Sequence, residues 1–270
     1  MSDEKRFEFG RNWRQFIERH YSQEAVDASQ SRILEFLKRG DLNGLHVIDI
    51  GCGSGIHSMA MFQAGAANIH SFDYDPTSVE ATGIVRGKVG APPQWTVEQG
   101  SVLDESYMRT LPTYDLVYSW GVLHHTGDVW KAIELAAERV RPGGLFYIAL
   151  YSADVQKDPS PEFWLNVKRT YVNSGWLWRR YMELWYIWRF MLRRNLNRSP
   201  KVLKRVRDHR KDRGMHLMTD VRDWLGGWPM EFVWDQDAVR FCEQRGLVLK
   251  EMSTGKANTE FLFERPAATR

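Results

Sequence analysis

Apolar positions recur along the chain with two different spacings, and the switch between them sets out the architecture. Residues 10–39 carry Ala25, Ala28, Ile33, Leu34 and Leu37 at helical spacing. That spacing predicts one helical stretch, with Ser22 as a cap and Gly40 as its end. From 46 to 50 the pattern becomes a short apolar run that meets glycines directly. A helix over 55–65 ending at Gly65, a strand over 68–73 and a helix opened by Pro76 follow. Further apolar runs at 94–99 and 114–119 predict a third and a fourth strand. A helix over 128–140 is stopped by Arg141-Pro142-Gly143-Gly144, and 145–151 is a fifth strand, apolar throughout. Strand alternating with helix means βαβ units and a parallel sheet. Strands that are apolar on both faces fit helices on both sides. The expected fold is α/β, a doubly wound Rossmann-like three-layer sandwich with right-handed crossovers.

The alternation breaks after residue 151 and resumes with a helix over 236–245, Gly246 as its C-cap, and strands at 247–252 and 259–264. Between them, residues 152–234 carry few strand signals but eight of the twelve Trp. Residues 163–213 hold 15 Lys and Arg against three acids, Glu183, Asp208 and Asp212, in a chain whose formal charge is only +3. A division follows: an N-terminal helical segment (1–43), a nucleotide-binding core (44–151), a Trp-rich basic helical insertion (152–234) and the end of the core sheet (235–270). Two cysteines, Cys52 and Cys242, make no disulfide framework, and no CxxC pair suggests a metal. No apolar run resembles a secretion signal or a membrane span, so a reducing, cytoplasmic setting is expected.

Four motifs carry the chemistry. In Asp49-Ile50-Gly51-Cys52-Gly53-Ser54-Gly55, glycines after a strand permit a tight turn and a close backbone approach to a ligand. The helix beyond offers free N–H groups. Asp49 can order this loop or meet a ligand's ammonium. Dinucleotide sites use a similar loop, but their pattern asks for glycine where this chain has Ile56. Asp73, about 20 residues past the glycines, can accept both ribose hydroxyls of an adenosine, with Tyr74 beside it. Asp75 before Pro76 is read as a helix cap. In Gln99-Gly100-Ser101-Val102-Leu103-Asp104, Asp104 is placed either to accept from an adenine amine, with the Ser101 and Val102 backbone near the ring, or to cap a helix. The fourth strand delivers Trp120 through His125 to the carboxyl edge of the sheet, where open α/β folds bind ligands. His124 or His125 can serve there as a general base, or can cap the next helix.

Taken in order, these motifs and Val140-Arg141-Pro142-Gly143-Gly144 resemble the class I S-adenosylmethionine (SAM)-dependent methyltransferases. Residues 114–126 and 140–145 are similar to the small-molecule, quinone-methyltransferase branch. The resemblance covers residues 44–151 and the last two strands. It implies a seven-stranded, mostly parallel sheet with an antiparallel last strand, and SAM as methyl donor. Gly51, Gly53 and Gly55 would lie at its methionine part, Asp73 at the ribose and Asp104 at the adenine. A set of bacterial proteins of this class shares Phe9-Gly10-Arg11-Asn12-Trp13, Asp223-Trp224-Leu225-Gly226-Gly227-Trp228-Pro229 and Asn258-Thr259-Glu260-Phe261. Catalytic acid clusters of the catechol type are missing, and no metal is expected.

In this family a segment after the fifth strand roofs the active site. Tyr151, Trp224 and Trp228 are therefore candidate acceptor contacts, and Arg11 and Trp13 candidates to close the cofactor from the other side. The stripe Tyr181, Trp185, Trp188, Leu192 reads as a core face. The basic run is a solvated face, a contact for anionic lipid at 163–213, or a grip on an anionic substrate, with nucleic acid not expected. Methyl transfer to an O or N nucleophile of a small-molecule or lipid-linked acceptor is the expected activity. Cyclisation of SAM to methylthioadenosine, NAD-dependent oxidoreduction, and a non-catalytic docking protein are the rivals.

Overall fold

A computed structural model describes residues 9–192, 217–255 and 257–267. Seven strands form one sheet in the order β3-β2-β1-β4-β5-β7-β6. They are β1 (His46–Ile50), β2 (Asn68–Asp73), β3 (Trp95–Gln99), β4 (Tyr114–Trp120), β5 (Val140–Tyr151), β6 (Val248–Thr254) and β7 (Asn258–Glu264). The first five pair in parallel, and β7 runs antiparallel between β5 and β6. The sheet is thus mostly parallel with antiparallel pairing only at one edge.

Successive side chains on a strand leave by opposite faces, and here each face has its own core. Val47, Leu116, Tyr118 and Tyr147 pack on one side with α2 (Gln23–Leu37), α3 (Ile56–Gln63) and α4 (Pro76–Gly87). Ile48, Val117, Phe146 and Ile148 pack on the other with α5 (Glu105–Thr110), α6 (Val129–Ala137) and α10 (Asp235–Glu243). Between consecutive helices the breaks come from local chemistry. The helical stretch expected over 10–39 comprises two helices, α1 (Phe9–His20) and α2, and Ser22 caps the second as expected, its side chain accepting from the Ala25 N–H. Helix α2 ends at Lys38 in the left-handed region, two residues before Gly40. Asp75, Asp104, Asp128 and Ser160 cap α4, α5, α6 and α7 (Pro161–Asn173) in the same way.

The segment after β5 holds α7 (Pro161–Asn173), α8 (Trp176–Tyr186), a π turn (Ile187–Leu192) and α9 (Leu217–Gly226). Tyr171, Val172, Met182, Val221, Leu225 and Trp228 form a small core of their own. The two ends of the segment meet where Ser152 bridges Val233 and Asp154 accepts from the Asp235 N–H. The basic run beyond Leu192, residues 193–213, lies outside the described residues, as do the side chains of Leu192, Asp220 and Asp223. The expected core stripe is overturned in part. Tyr181 and Trp188 are more than half exposed, because α8 turns Met182 and Glu183 toward α7 and α9 instead.

Gly55 opens α3 at φ +78, and a Cβ there would lie 2.8 Å from the Thr82 Cα of α4. Gly55→Ala combines a left-handed backbone with a backbone collision, for an expected loss of about 1–3 kcal/mol. Urea denaturation checks this against Gly90→Ala, where φ is +79 but nothing lies within 4 Å. The Gly55 variant is expected to be the less stable of the two.

Candidate active site

The carboxyl ends of β1 and β4 form the point where the strand order reverses, the place where open α/β sheets bind ligands. There the chain turns through Gly51, Gly53 and Gly55, all at positive φ. The Gly51 and Cys52 N–H groups donate to the Phe72 carbonyl, and Gly53 donates to Asp73 Oδ2 at 3.0 Å. From α4, the Thr82 hydroxyl donates to the Gly53 carbonyl. A Cβ on Gly51 would fall 2.3 Å from Val122, and one on Gly53 would meet the Trp13 indole at 3.4 Å. The bare turn is therefore walled by Val122 and roofed by Trp13.

Helix α1 reaches this position by docking on α4. The Gly10 N–H donates to Asp75 Oδ2 at 2.8 Å, and Arg14 pairs with Glu80 at 2.7 Å. A Cβ on Gly10 would come within 2.6 Å of the Ser78 nitrogen, so only glycine lets the helices meet this closely. Phe9 stacks toward His125 with ring centroids 5.2 Å apart. Trp13 thus lies against the turn, while Arg11 is exposed on α1.

Two carboxyl groups sit under the turn. Asp73 Oδ1 accepts from the Asp75 N–H and Oδ2 from Gly53, which leaves each oxygen a further lone pair. Burial pushes Asp73 up to about 6 against those hydrogen bonds. Asp49 is buried, and burial pushes it up to about 7 against the Ser58 hydroxyl that donates to it. Of the two roles open to Asp49, the observed contact is the ordering one: through Ser58 it ties β1 to α3.

The other residues expected near the cofactor take the following places. Asp104 is exposed, and its Oδ1 accepts from the Tyr107 N–H, so the cap is what the structure shows. Ser101 Oγ accepts from the Leu103 N–H, and the Val102 side chain belongs to the core. Tyr74 is exposed beyond Asp73. Trp120 lies on the α2–α3 side of the sheet, its ring 5.7 Å from His57 and 5.2 Å from the Arg32 guanidinium. Strand parity explains this, since Trp120 shares a face with Tyr118 rather than with Ser119.

The two histidines differ in a way the sequence does not reveal. His124 is fully buried, and its Nδ1 accepts from the Tyr151 N–H at 3.3 Å. An N–H can only donate, so the His124 proton is on Nε2, a buried donor with no acceptor in the protein. Burial, with His125 and Lys168 adding to it, holds His124 well below the ordinary imidazole range. A base at His124 Nε2 is therefore excluded by its tautomer. At His125 the Nδ1 lies 2.8 Å from the Pro229 carbonyl, which can only accept, so its lone pair is on Nε2. Burial, then the Lys168 ammonium, lower His125 to about 3, with the Pro229 carbonyl pulling the other way. The pair presents a donor and an acceptor side by side.

Tyr151 stacks on His124 at 4.3 Å and meets Trp224 at 5.6 Å, and Trp224 meets Trp164 at 5.1 Å. Lys168 Nζ donates to the Trp224 carbonyl and lies 4.2 Å from the Trp224 ring. Trp228 belongs to the small core of the insertion, under Arg169. Val122, Thr82, Phe9, Lys168 and the Pro229 carbonyl were not singled out from the sequence. Phe9, Val122 and Pro229, inside quoted motifs, carried some signal; Thr82 and Lys168 carried none. Among the described residues no three His, Cys, Asp or Glu side chains are grouped to hold a metal.

SAM fits this place. The turn offers bare backbone, Asp73 has lone pairs for two hydroxyls, and past β4 nothing stands within 4 Å of where a Gly121 Cβ would be. A methyltransferase-domain family model matches residues 18–210. The ubiquinone biosynthesis O-methyltransferase of Rhizobium rhizogenes is 33% identical over 108 residues, 40% of this chain and 42% of that protein. That of Leptothrix cholodnii is 31% identical over 111 residues, 41% and 46%. The chain thus spans less than half the length of these curated relatives. An O-methyltransferase family protein from Burkholderia thailandensis superposes with TM-score 0.56 at 15% identity, covering 92% of this chain and 57% of the other. Magnesium protoporphyrin IX methyltransferase from Synechocystis PCC 6803, solved with bound S-adenosylhomocysteine (SAH), gives 0.53 at 16%, covering 94% and 93%. At such identities the likeness speaks for the fold. With the family model covering most of its length, the chain belongs to the methyltransferase-domain family of class I SAM-dependent methyltransferases.

Proposed function

We propose that the protein methylates an oxygen nucleophile of a small-molecule or lipid-linked acceptor held between His125, His124 and Tyr151. The observation that carries this reading is the pair of opposite imidazole tautomers beside the glycine turn. Bound SAM supplies an electrophilic methyl group on a sulfonium. His125 Nε2 accepts the proton of an acceptor hydroxyl as the new bond forms, with Pro229 holding the ring in the required tautomer. His124 Nε2–H and the Trp224 indole N–H, buried donors with no acceptor in the protein, favour an acceptor that carries oxygens over one that carries only amines. Tyr151, Trp224 and Phe9 line the approach with aromatic surface, which keeps water from a reaction that disperses charge. Asp73 takes the ribose hydroxyls, and Trp13 covers the turn. The relatives named for ubiquinone biosynthesis support an acceptor of this kind. The division of labour is then a core from 44 to 151, a lid from 152 to 234 and a cofactor cover from the N-terminal helices.

Incubation with SAM and a panel of phenolic and carboxylic acceptors, dissolved or dispersed in detergent, is expected to release SAH. Release of methylthioadenosine instead would overturn methyl transfer in favour of cyclisation. His125→Ala is expected to lower kcat by ~10²–10⁴-fold, with SAM affinity by calorimetry unchanged. Asp73→Ala is expected to weaken SAM binding at least about tenfold. Because the Asp73 carboxyl titrates near 6 and is neutral below that, SAM affinity should fall as pH drops from 8 to 5 and should do so less in the Asp73→Asn variant. His125, neutral above about 3, should add no limb to the rate profile near the usual imidazole value.

A further inference from the structure

We propose that the outward face of α8 docks the protein on an anionic lipid bilayer. Leu177, Tyr181, Leu184 and Trp188 follow one another at the spacing i, i+4, i+7, i+11, one stripe of a helix, flanked by Trp176 and Trp178. All six are more than half exposed, and Trp176 is 73% exposed. Scattered exposed apolar side chains are ordinary, but six on one helix make a continuous patch that ordinary surfaces lack. The opposite side of the helix is occupied. Met182 packs in the small core, and Glu183 is held by Tyr171, Arg180 and Arg222.

The chemistry of the patch favours lipid over a protein partner. Three Trp and a Tyr have an apolar body and a polar edge, the combination that settles at the headgroup level. Within α8 the single acidic residue is Glu183, which is buried and paired, so the helix itself presents no exposed acid to a negative surface. Arg180 and Arg189 are exposed on the same helix and its π turn. The chain then continues into residues 193–213, where ten Lys and Arg stand against Asp208 and Asp212. A polybasic stretch next to an aromatic helix face is the pairing that binds anionic leaflets. A second copy of the chain would set this positive region against itself. No described helix is long and apolar enough to cross a membrane, so the contact is one of lying on the surface. Docked in this way, the inner side of α8 faces α7 and α9, whose Trp164 and Trp224 lead to Tyr151.

The test uses the full chain with vesicles of phosphatidylcholine alone or mixed with phosphatidylglycerol, the latter also with acyl chains carrying bromine. The expected result is co-sedimentation with the anionic vesicles at low salt, weakened at high salt, and quenching of Trp fluorescence by the bromine. Leu177→Gln/Leu184→Gln, which changes neither charge nor Trp content, should lower the partition coefficient at least about tenfold at an unchanged melting temperature. Trp176→Ser/Trp178→Ser serves as a second pair, on the two flanks of the stripe. Failure of the wild type to bind anionic vesicles at low salt, or wild-type binding by both variants, would overturn the proposal. So would a dimer that both variants dissolve, or binding of single-stranded RNA without binding of vesicles. None of these readings depends on methyl transfer.

Discussion

The carboxyl group of Asp73 ties the tips of two parallel strands together by accepting the Gly53 and Asp75 N–H groups. The Gly51, Cys52 and Gly55 N–H groups find main-chain acceptors, and the Gly53 N–H has Asp73. The turn is thus a fixed strip of bare backbone between Val122 and Trp13 at the point where the sheet reverses. Everything else at the site is arranged around that strip. Thr82 pins it from α4, Val122 fills the side toward β4, and the helix capped by Asp75 gives α1 its seat. One carboxylate therefore organises the cofactor half of the site before any ligand arrives, at the cost of being held in a setting that resists its charge.

The histidine pair is organised by main-chain groups of a different kind. The Tyr151 N–H at the end of β5 and the Pro229 carbonyl near the end of the inserted segment each fix the proton of one imidazole. Strand and insertion thus both set the state of residues that follow β4. Lys168 strengthens the effect by keeping both rings neutral.

The order of strands was legible because a sheet covered on both faces leaves apolar runs that end in glycine, as at Ile50 and Gly51. The turn chemistry around Asp75 and Ser22 was equally plain. Three features were not legible, for distinct reasons. Helix α5 is six residues long and has no room for a periodic pattern, so Asp104 stood ambiguous between cap and ligand. The face of Trp120 was written in the alternation with Tyr118 but is visible only once the strand's register is known. Tyr181 and Trp188 follow a helical stripe that is the same whether it meets protein or another apolar phase, so spacing alone assigned it to a core. The tautomers of His124 and His125 depend on groups 27 and 104 residues away, beyond the reach of any local pattern.

Helix α1 joins the two halves of the site. Its first residue rests on His125 and its next turn meets the glycine strip, so one short helix touches both β4's histidines and the turn after β1. A change in the tilt of that helix on its Asp75 seat would therefore be felt at both places at once.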